Sequence, residues 1–359
     1  MKKTFLALIA FLIAFTTAPA AQPVVKIGVI APLSGMSPEW GENLRNGVLL
    51  AQTELLNQDK SRHYRYEFVI EDGQADNVAS IKAFNKLTGV DRVHALISVF
   101  DNIAQVIKPL AVRQKIIHFA IAIDPNAADG QYNFTHWPTC RDEVAAWLAE
   151  CKRRNIHRVS VIGLNHQFPH SVKDEIIRQG AAQVTLTGQH FFSPEERDFR
   201  TLIAKVVGEK PDAYLILAFP PTLELLTGQM KQAGLNNLTS IESFAMSQNP
   251  ARIEGSWFVT GADPSPDFIQ SYTKRFKSRP KWAAYYGYDI VQMLVRAYET
   301  SGAPASIPST AQVAAALLKT HNFISASGTL TITPQGVVQS PVVVKEVKNG
   351  SAAVISTAR

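Results

Sequence analysis

From Val24 to Asn57 the chain reads VVKIGVIAPLSGMSPEWGENLRNGVLLAQTELLN. Val24, Val25, Ile27, Val29 and Ile30 form a β-branched apolar run interrupted only by Lys26 and Gly28, and Pro32 and Gly35 close it. That is the pattern of a strand buried on both faces of a parallel sheet. Ser37-Pro38 then supplies an N-cap and a first helical position. Leu44, Val48, Ala51 and Leu55 share one helical face. In open α/β sheets the loop at a strand's carboxyl end faces the ligand crevice, and the helix amino end adds unpaired N–H groups. Trp40 falls in that first turn, where the plainer reading of the same spacing is simple packing.

The alternation of apolar runs and helical stripes continues. Strands are predicted at Tyr66 to Glu71, Ala95 to Ser98 and Ile116 to Ala120, with helices at Val78 to Leu87 and Ile103 to Val112. The polar tract Asp124 to Thr139 is a connection. A second series follows, with helices at Arg141 to Arg153, Ser171 to Gln179, Phe199 to Val207 and Leu223 to Ala233. Its strands are Val159 to Gly163, Gln183 to Gly188, Tyr214 to Ala218, Leu238 to Ile241 and Trp257 to Gly261. Asp263-Pro264-Ser265-Pro266 punctuates the chain, and helices follow at Asp267 to Phe276, Tyr285 to Thr300 and Ala311 to Leu318. Gly328 to Ile332 and Pro341 to Val347 read as a hairpin. Two successive βαβα series predict two α/β domains.

Before Val24, Lys2 and Lys3 precede the apolar Thr4 to Phe15, and Ala18-Pro19-Ala20 is a small-x-small cleavage site. This predicts a signal peptide over residues 1–20 and an exported, periplasmic protein. With no Cys after the apolar run, a lipid anchor is not expected. Without Lys2 and Lys3 the formal charge falls from +6 to +4, with no Lys/Arg block. Lys152-Arg153-Arg154 suits a helix carboxyl end, and nucleic acid is not an expected partner. The two cysteines, Cys140 and Cys151, flank a helical RDEVAAWLAE. Eleven helical residues span roughly 16 Å, and a disulfide needs Cα atoms within about 7 Å. Two free thiols are predicted, a bridge forming only if Cys140 folds back outside the helix.

No P-loop, G-x-S-x-G or G-x-G-x-x-G is present. His166 and His170 have helical metal-ligand spacing, but Pro169 between them argues for surface histidines and no metal. Without a nucleophile-elbow context, an enzyme is the weaker class. Polar and aromatic residues instead gather where strands end: Asp101 and Asn102, Asp124, Phe168, Phe219 with Pro220 and Pro221, then Glu242 and Ser243. Aromatic walls with one or two carboxylates suit a small ligand that joins an apolar part to a cationic group. Taken singly, each carboxylate is also a natural cap or turn residue.

At this point IGVIAPLSG, EWG and NGVLLAQTELLN resemble the opening of type I periplasmic binding proteins of the leucine/isoleucine/valine-binding kind. EDGQADNVASIKAFNKL, PDAYLILAFPPTLELLTGQMKQAGL, EGSWFVTGADPSPDF, YYGYDIVQMLVRAYETSG and GTLTITPQGVVQSPVVVKEVKNG extend the resemblance over essentially the whole mature chain. It implies two Rossmann-like lobes joined by three crossings, with ligand closing the cleft between them. One lobe is expected over residues 22–139 and 262–333, the other over 140–261 and 334–359. It also implies a monomeric receptor with no cofactor, which hands its ligand to an ABC permease in the inner membrane. Carried over by position, Trp40 matches the family's loop aromatic. Asn102 stands where amino-acid binders place a Ser that holds the α-carboxylate. Ala122 matches a backbone contact, and Asp124 replaces a Thr. Phe168 and Phe219 fall at or near tyrosine positions. Glu242 approximates the acidic residue that holds the α-ammonium, with Ser243 an equally good register. An Asp at 124 would repel a carboxylate if it pointed into the cleft. A branched-chain amino acid is therefore the family default, while an amide, another amino acid or an aromatic compound stays open. A periplasmic sensor of the same fold is the alternative role.

Overall fold

A computed structural model describes residues 22–35, 38–58, 62–247, 249–302 and 306–358. The expected signal peptide and the Ser37 N-cap lie outside them. In chain order the first part runs β1 (Val24–Ala31), α1 (Pro38–Gln58), β2 (Arg65–Asp72), α2 (Asn77–Gly89), β3 (Ala95–Val99), α3 (Asp101–Gln114), β4 (Ile117–Ile121) and β5 (Asn133–His136). The second series comprises α4 (Cys140–Arg153), β6 (Arg158–Leu164), α5 (Gln167–Gly180), β7 (Thr185–Phe192), α6 (Arg200–Gly208), β8 (Ala213–Leu217), α7 (Thr222–Gln232), β9 (Leu238–Ile241) and β10 (Trp257–Gly261). Then come α8 (Pro266–Phe276), α9 (Trp282–Ser301), α10 (Thr310–Leu317), β11 (Phe323–Ser325), β12 (Gly328–Ile332), β13 (Val337–Gln339), β14 (Val342–Lys348) and β15 (Ser351–Ala358).

These strands form two sheets, ordered β11-β12-β13-β5-β4-β3-β1-β2 and β15-β14-β10-β9-β8-β6-β7. β1 pairs in parallel with both β2 and β3, and β6 with both β7 and β8. Strand order therefore reverses between β1 and β3 in one sheet and between β6 and β8 in the other. Those are the switch points where an open α/β sheet leaves a crevice beyond its strand ends. The continuous apolar run of β1 is buried from Ile27 to Ala31, Gly28 included, as a two-face-covered strand requires. α1 packs along α9, where a Cβ on Gly47 would lie 1.9 Å from the Ala284 carbonyl oxygen, so only glycine permits that approach.

Two expectations need correction. Gly328 to Ile332 and Pro341 to Val347 do not form a hairpin: β12 pairs with β13, whereas β14 pairs with β10 and β15 in the other sheet. Accordingly the last crossing does not follow Thr333. β13 still pairs with β5, so the chain changes sheets between Gln339 and Val342. The polar tract after Asp124 also contains β5, whose Asn133, Thr135 and His136 are all buried. Asn133 and His136 are tolerated there because they are bonded, Asn133 Nδ2 to Asp129 at 2.7 Å and His136 Nε2 with Asp289 at 3.0 Å.

The cysteines fall on one helix, α4, both buried and both free. Burial pushes both thiols well above the usual range. A thiol reagent is expected to react slowly with native protein and with two thiols per chain after denaturation without reductant. Fewer than two would mean that the cysteines had paired.

His118, in β4, is buried between Ser98 Oγ at 2.8 Å and Asn133 Oδ1 at 3.0 Å. Burial lowers its pKa to about 4. The unfolded chain takes up this proton first, near the ordinary value of about 6.5. The His118 contribution is therefore complete at neutral pH and declines as pH falls from about 6.5 towards 4, by roughly 3 kcal/mol. Asp101, raised to about 6 chiefly by burial, opposes it over nearly the same range. The test is thus a difference: urea unfolding of wild type and His118→Gln at pH 7 and pH 4, with the variant losing less stability. Equal losses would remove His118 from the acid response.

Candidate functional site

The loops at the two switch points are built from short, fixed turns. After β1, Leu33 N and Ser34 N donate to Asp72 Oδ1 at 2.9 and 3.2 Å, tying the loop to the end of β2. A Cβ on Gly41 would meet the Pro32 carbonyl oxygen at 2.2 Å, so this glycine lets α1 start directly over the loop. Trp40 is thereby set at the crevice, half-buried. Its ring centroid lies 3.7 Å from that of Trp282, 5.0 Å from Phe100 and 6.0 Å from Trp137. Trp282 opens α9, and Trp137 stands on the crossing between β5 and α4. Trp137 also touches Tyr286, at 4.8 Å.

After β3 the backbone turns sharply. Phe100 has φ of +83°, a conformation that non-glycine residues seldom adopt and that concentrates at functional turns. The turn seats Asp101 at the start of α3, where its Oδ1 accepts from Ile123 N at 3.0 Å and Asp124 N at 2.9 Å. Burial, with the nearby Asp124 charge, raises the Asp101 pKa to about 6 against the pull of these bonds. Asn102 donates to Asn77 Oδ1, at the start of α2, at 2.9 Å. Ala122 is buried in a small alanine cluster with Ala104, Ala120 and Ala127, leaving its backbone for any ligand contact. Asp124 caps the short helix Pro125–Ala127, accepting from Asn126 N at 2.9 Å.

On the opposite sheet α5 begins at Gln167, four residues earlier than the periodicity predicts, so Phe168 belongs to its first turn. Phe168 stacks on Phe219, which follows β8, at 5.6 Å and 30°. Ser243 Oγ accepts from Ala218 N, just beyond β8, at 3.1 Å.

Glu242 follows β9 with φ of +57° and is 2% exposed. Its carboxylate does not lie open to the cleft, as the ammonium role implies, but faces the crossings. Oε1 accepts from Trp137 Nε1 at 3.3 Å and from Gly261 N at 3.2 Å, and Oε2 from Thr260 Oγ1 at 3.1 Å. Glu143, fully buried in α4, faces it. As an anion Glu143 would have no donor for either oxygen. Burial and the Glu242 charge raise its pKa well above the carboxylate range, so it keeps its proton. Burial also holds the Tyr285 and Tyr286 hydroxyls protonated, again with Glu242 nearby.

The structure thus joins Trp40 to Glu242 through Trp137, and Phe168 to Phe219. α3 and α5 approach each other across the two sheets. Asn102 and Asp124 fix their own loops. Trp137 follows β5, a strand that the polar tract hides, and Trp282 and Glu143 lie in helices, so a search of the predicted strand ends passes over them. The one available signal was Trp137-Pro138 inside a polar tract.

The family described as periplasmic binding protein has a model that matches residues 24–352. Leu/Ile/Val-binding protein homolog 2 of Brucella abortus (strain 2308) is 23% identical over 333 residues, covering 87% of each chain. Leu/Ile/Val-binding protein BraC3 of Rhizobium johnstonii is 24% identical over 282 residues, covering 74% of this chain and 75% of its own. The leucine binding protein LivK from Thermotoga maritima superposes with a TM-score of 0.80 at 23% identity, covering 93% and 99%. An ABC-transporter solute binding protein from R. palustris, solved with benzoate, gives 0.78 at 16% identity, covering 93% and 96%.

Proposed function

The chain belongs to the periplasmic binding protein family, and from that premise we propose that it is the exported solute-binding receptor of an ABC importer. It acts in the periplasm, as a monomer, and delivers its ligand to an inner-membrane permease. The ligand lies between the two sheets, at loops following β1, β3, β4, β6 and β8. The observation that supports this reading is an aromatic group at each switch point, Trp40 at one and the Phe168–Phe219 pair at the other, with Trp137 linking Trp40 to the crossings. Trp40, Phe168 and Phe219 supply apolar walls, Ala122 its backbone, and Asn102 and Asp124 the polar rim. Glu242 acts from behind Trp137, coupling ring position to the crossings. Ligand that touches both lobes favours the closed arrangement, and catalysis forms no part of this role.

The relatives' names point to leucine, isoleucine and valine, and one structural neighbour to benzoate. The ligand here is a small molecule that joins an apolar body to an amine, amino-acid-like ligands being the family's reference. A thermal-shift screen of amino acids, amides, amines and aromatic acids tests the receptor role. A ligand at 100 times its Kd should add about 2.7 kcal/mol of stability. A screen without any stabilising compound would count against it. Loss of uptake after deletion of the gene separates import from sensing by a protein of the same fold.

A further inference from the structure

The chain as a whole is basic, with 36 Lys and Arg against 30 Asp and Glu. Yet none of the loops that follow β1, β3, β4, β6 and β8 contains a Lys or Arg, while Asp101 and Asp124 stand at the ends of β3 and β4 and Glu242 at the end of β9. A ligand carboxylate needs N–H or cationic partners. Here several backbone donors around the crevice already serve the chain's own acceptors. Leu33 and Ser34 donate to Asp72, and Ile123 and Asp124 to Asp101. Asp101 occupies the amino end of α3, where a helix otherwise attracts a foreign anion. On the other lobe Ala218 N serves Ser243 and Gly261 N serves Glu242. Pro169, Pro220 and Pro221 have no N–H to offer.

Beside these carboxylates the indoles of Trp40, Trp282 and Trp137 gather at the first switch point, and an indole face attracts a cation through the ring quadrupole. Trp137 donates its N–H to Glu242. That places negative charge at the ring's positive edge and leaves its face richer in electrons.

We infer that the cleft takes an apolar organic cation, an amine or quaternary ammonium compound, and discriminates against its carboxylate-bearing counterpart. This narrows the ligand of the receptor role proposed above and rests on that role.

The experiment is calorimetric titration of the protein with two matched sets. One is 3-methylbutylamine, leucine and 4-methylpentanoate. The other is phenethylamine, phenylalanine and 3-phenylpropanoate. Each set keeps one apolar body and changes only its charges. At least one amine should bind tenfold or more tightly than its amino acid, and neither carboxylate should bind. Asp101→Asn keeps an oxygen for Ile123 N and Asp124 N but removes the charge, and should weaken the amine at least fivefold. Asp124→Asn is the second variant, and melting curves of both empty variants separate lost charge from lost fold. If neither variant folds, the wild-type ranking decides. An amino acid or carboxylate that binds as tightly as its amine overturns the inference and leaves the receptor role standing. A ligand from the wider screen that bears a carboxylate, or no positive charge, does the same. If nothing in either set or the screen binds, both readings fall.

Discussion

Replacing Trp40 with alanine is expected to weaken ligand binding about thirtyfold or more while the protein still folds. The residue is half-buried at a switch point, with its ring against Trp282, Phe100 and Trp137. Aromatic anchors in such desolvated settings cost about 2 kcal/mol or more on truncation, and about 1.4 kcal/mol is tenfold in affinity. Trp40→Phe should retain part of the binding, since a smaller ring still covers Phe100. Titration calorimetry with a ligand from the screen measures both. Wild-type affinity in a folded Trp40→Ala protein would return this residue to plain packing.

The second large effect concerns the empty protein. Glu242→Ala should destabilise it by about 3–5 kcal/mol, the usual cost of stripping a buried charge from its partners. Three donors lose their acceptor at once: the Trp137 indole, the Gly261 N–H and the Thr260 hydroxyl. A group that met only ligand would leave the empty protein's stability unchanged, so urea unfolding without ligand distinguishes the two roles. Glu242→Gln is the milder probe. Its amide oxygen still accepts from Trp137 and Gly261, and it should recover more than half of the loss. An unfolding free energy within 1 kcal/mol of wild type for Glu242→Ala, on the scale of ordinary surface changes, would show that the crossing does not depend on this carboxylate.

Long apolar runs and helical stripes made the architecture legible. β1, β6 and β8 are apolar because helices cover both faces, and their periodicity cannot be mistaken for loop. β5 was not legible, because Asn-Phe-Thr-His is short and polar and is buried only through partners that are distant in sequence, such as Asp289. β13 has three residues, too few for a period, and without it Gly328 to Ile332 and Pro341 to Val347 look like neighbours. For the site, strand-end position found Trp40, Phe168 and Phe219 because the switch-point rule is local to each strand. It gave no direction to the side chains. Glu242 sits at a strand end yet turns to the crossings, and Asn102 turns to α2. Trp137 and Trp282 come from a crossing and from a helix start, and only the assembled fold brings them beside Trp40.

Each sheet is finished by strands that come late in the chain. The first needs β11 to β13, from residue 323 onward, and the second needs β14 and β15, from residue 342 onward. Until those residues leave the ribosome, β5 and β10 each keep an open edge, and the pairings with the greatest sequence separation are unmade. Long-range pairing is slow because its loop-closure entropy comes first. A nascent chain of this topology therefore completes neither sheet until the last stretch of its synthesis.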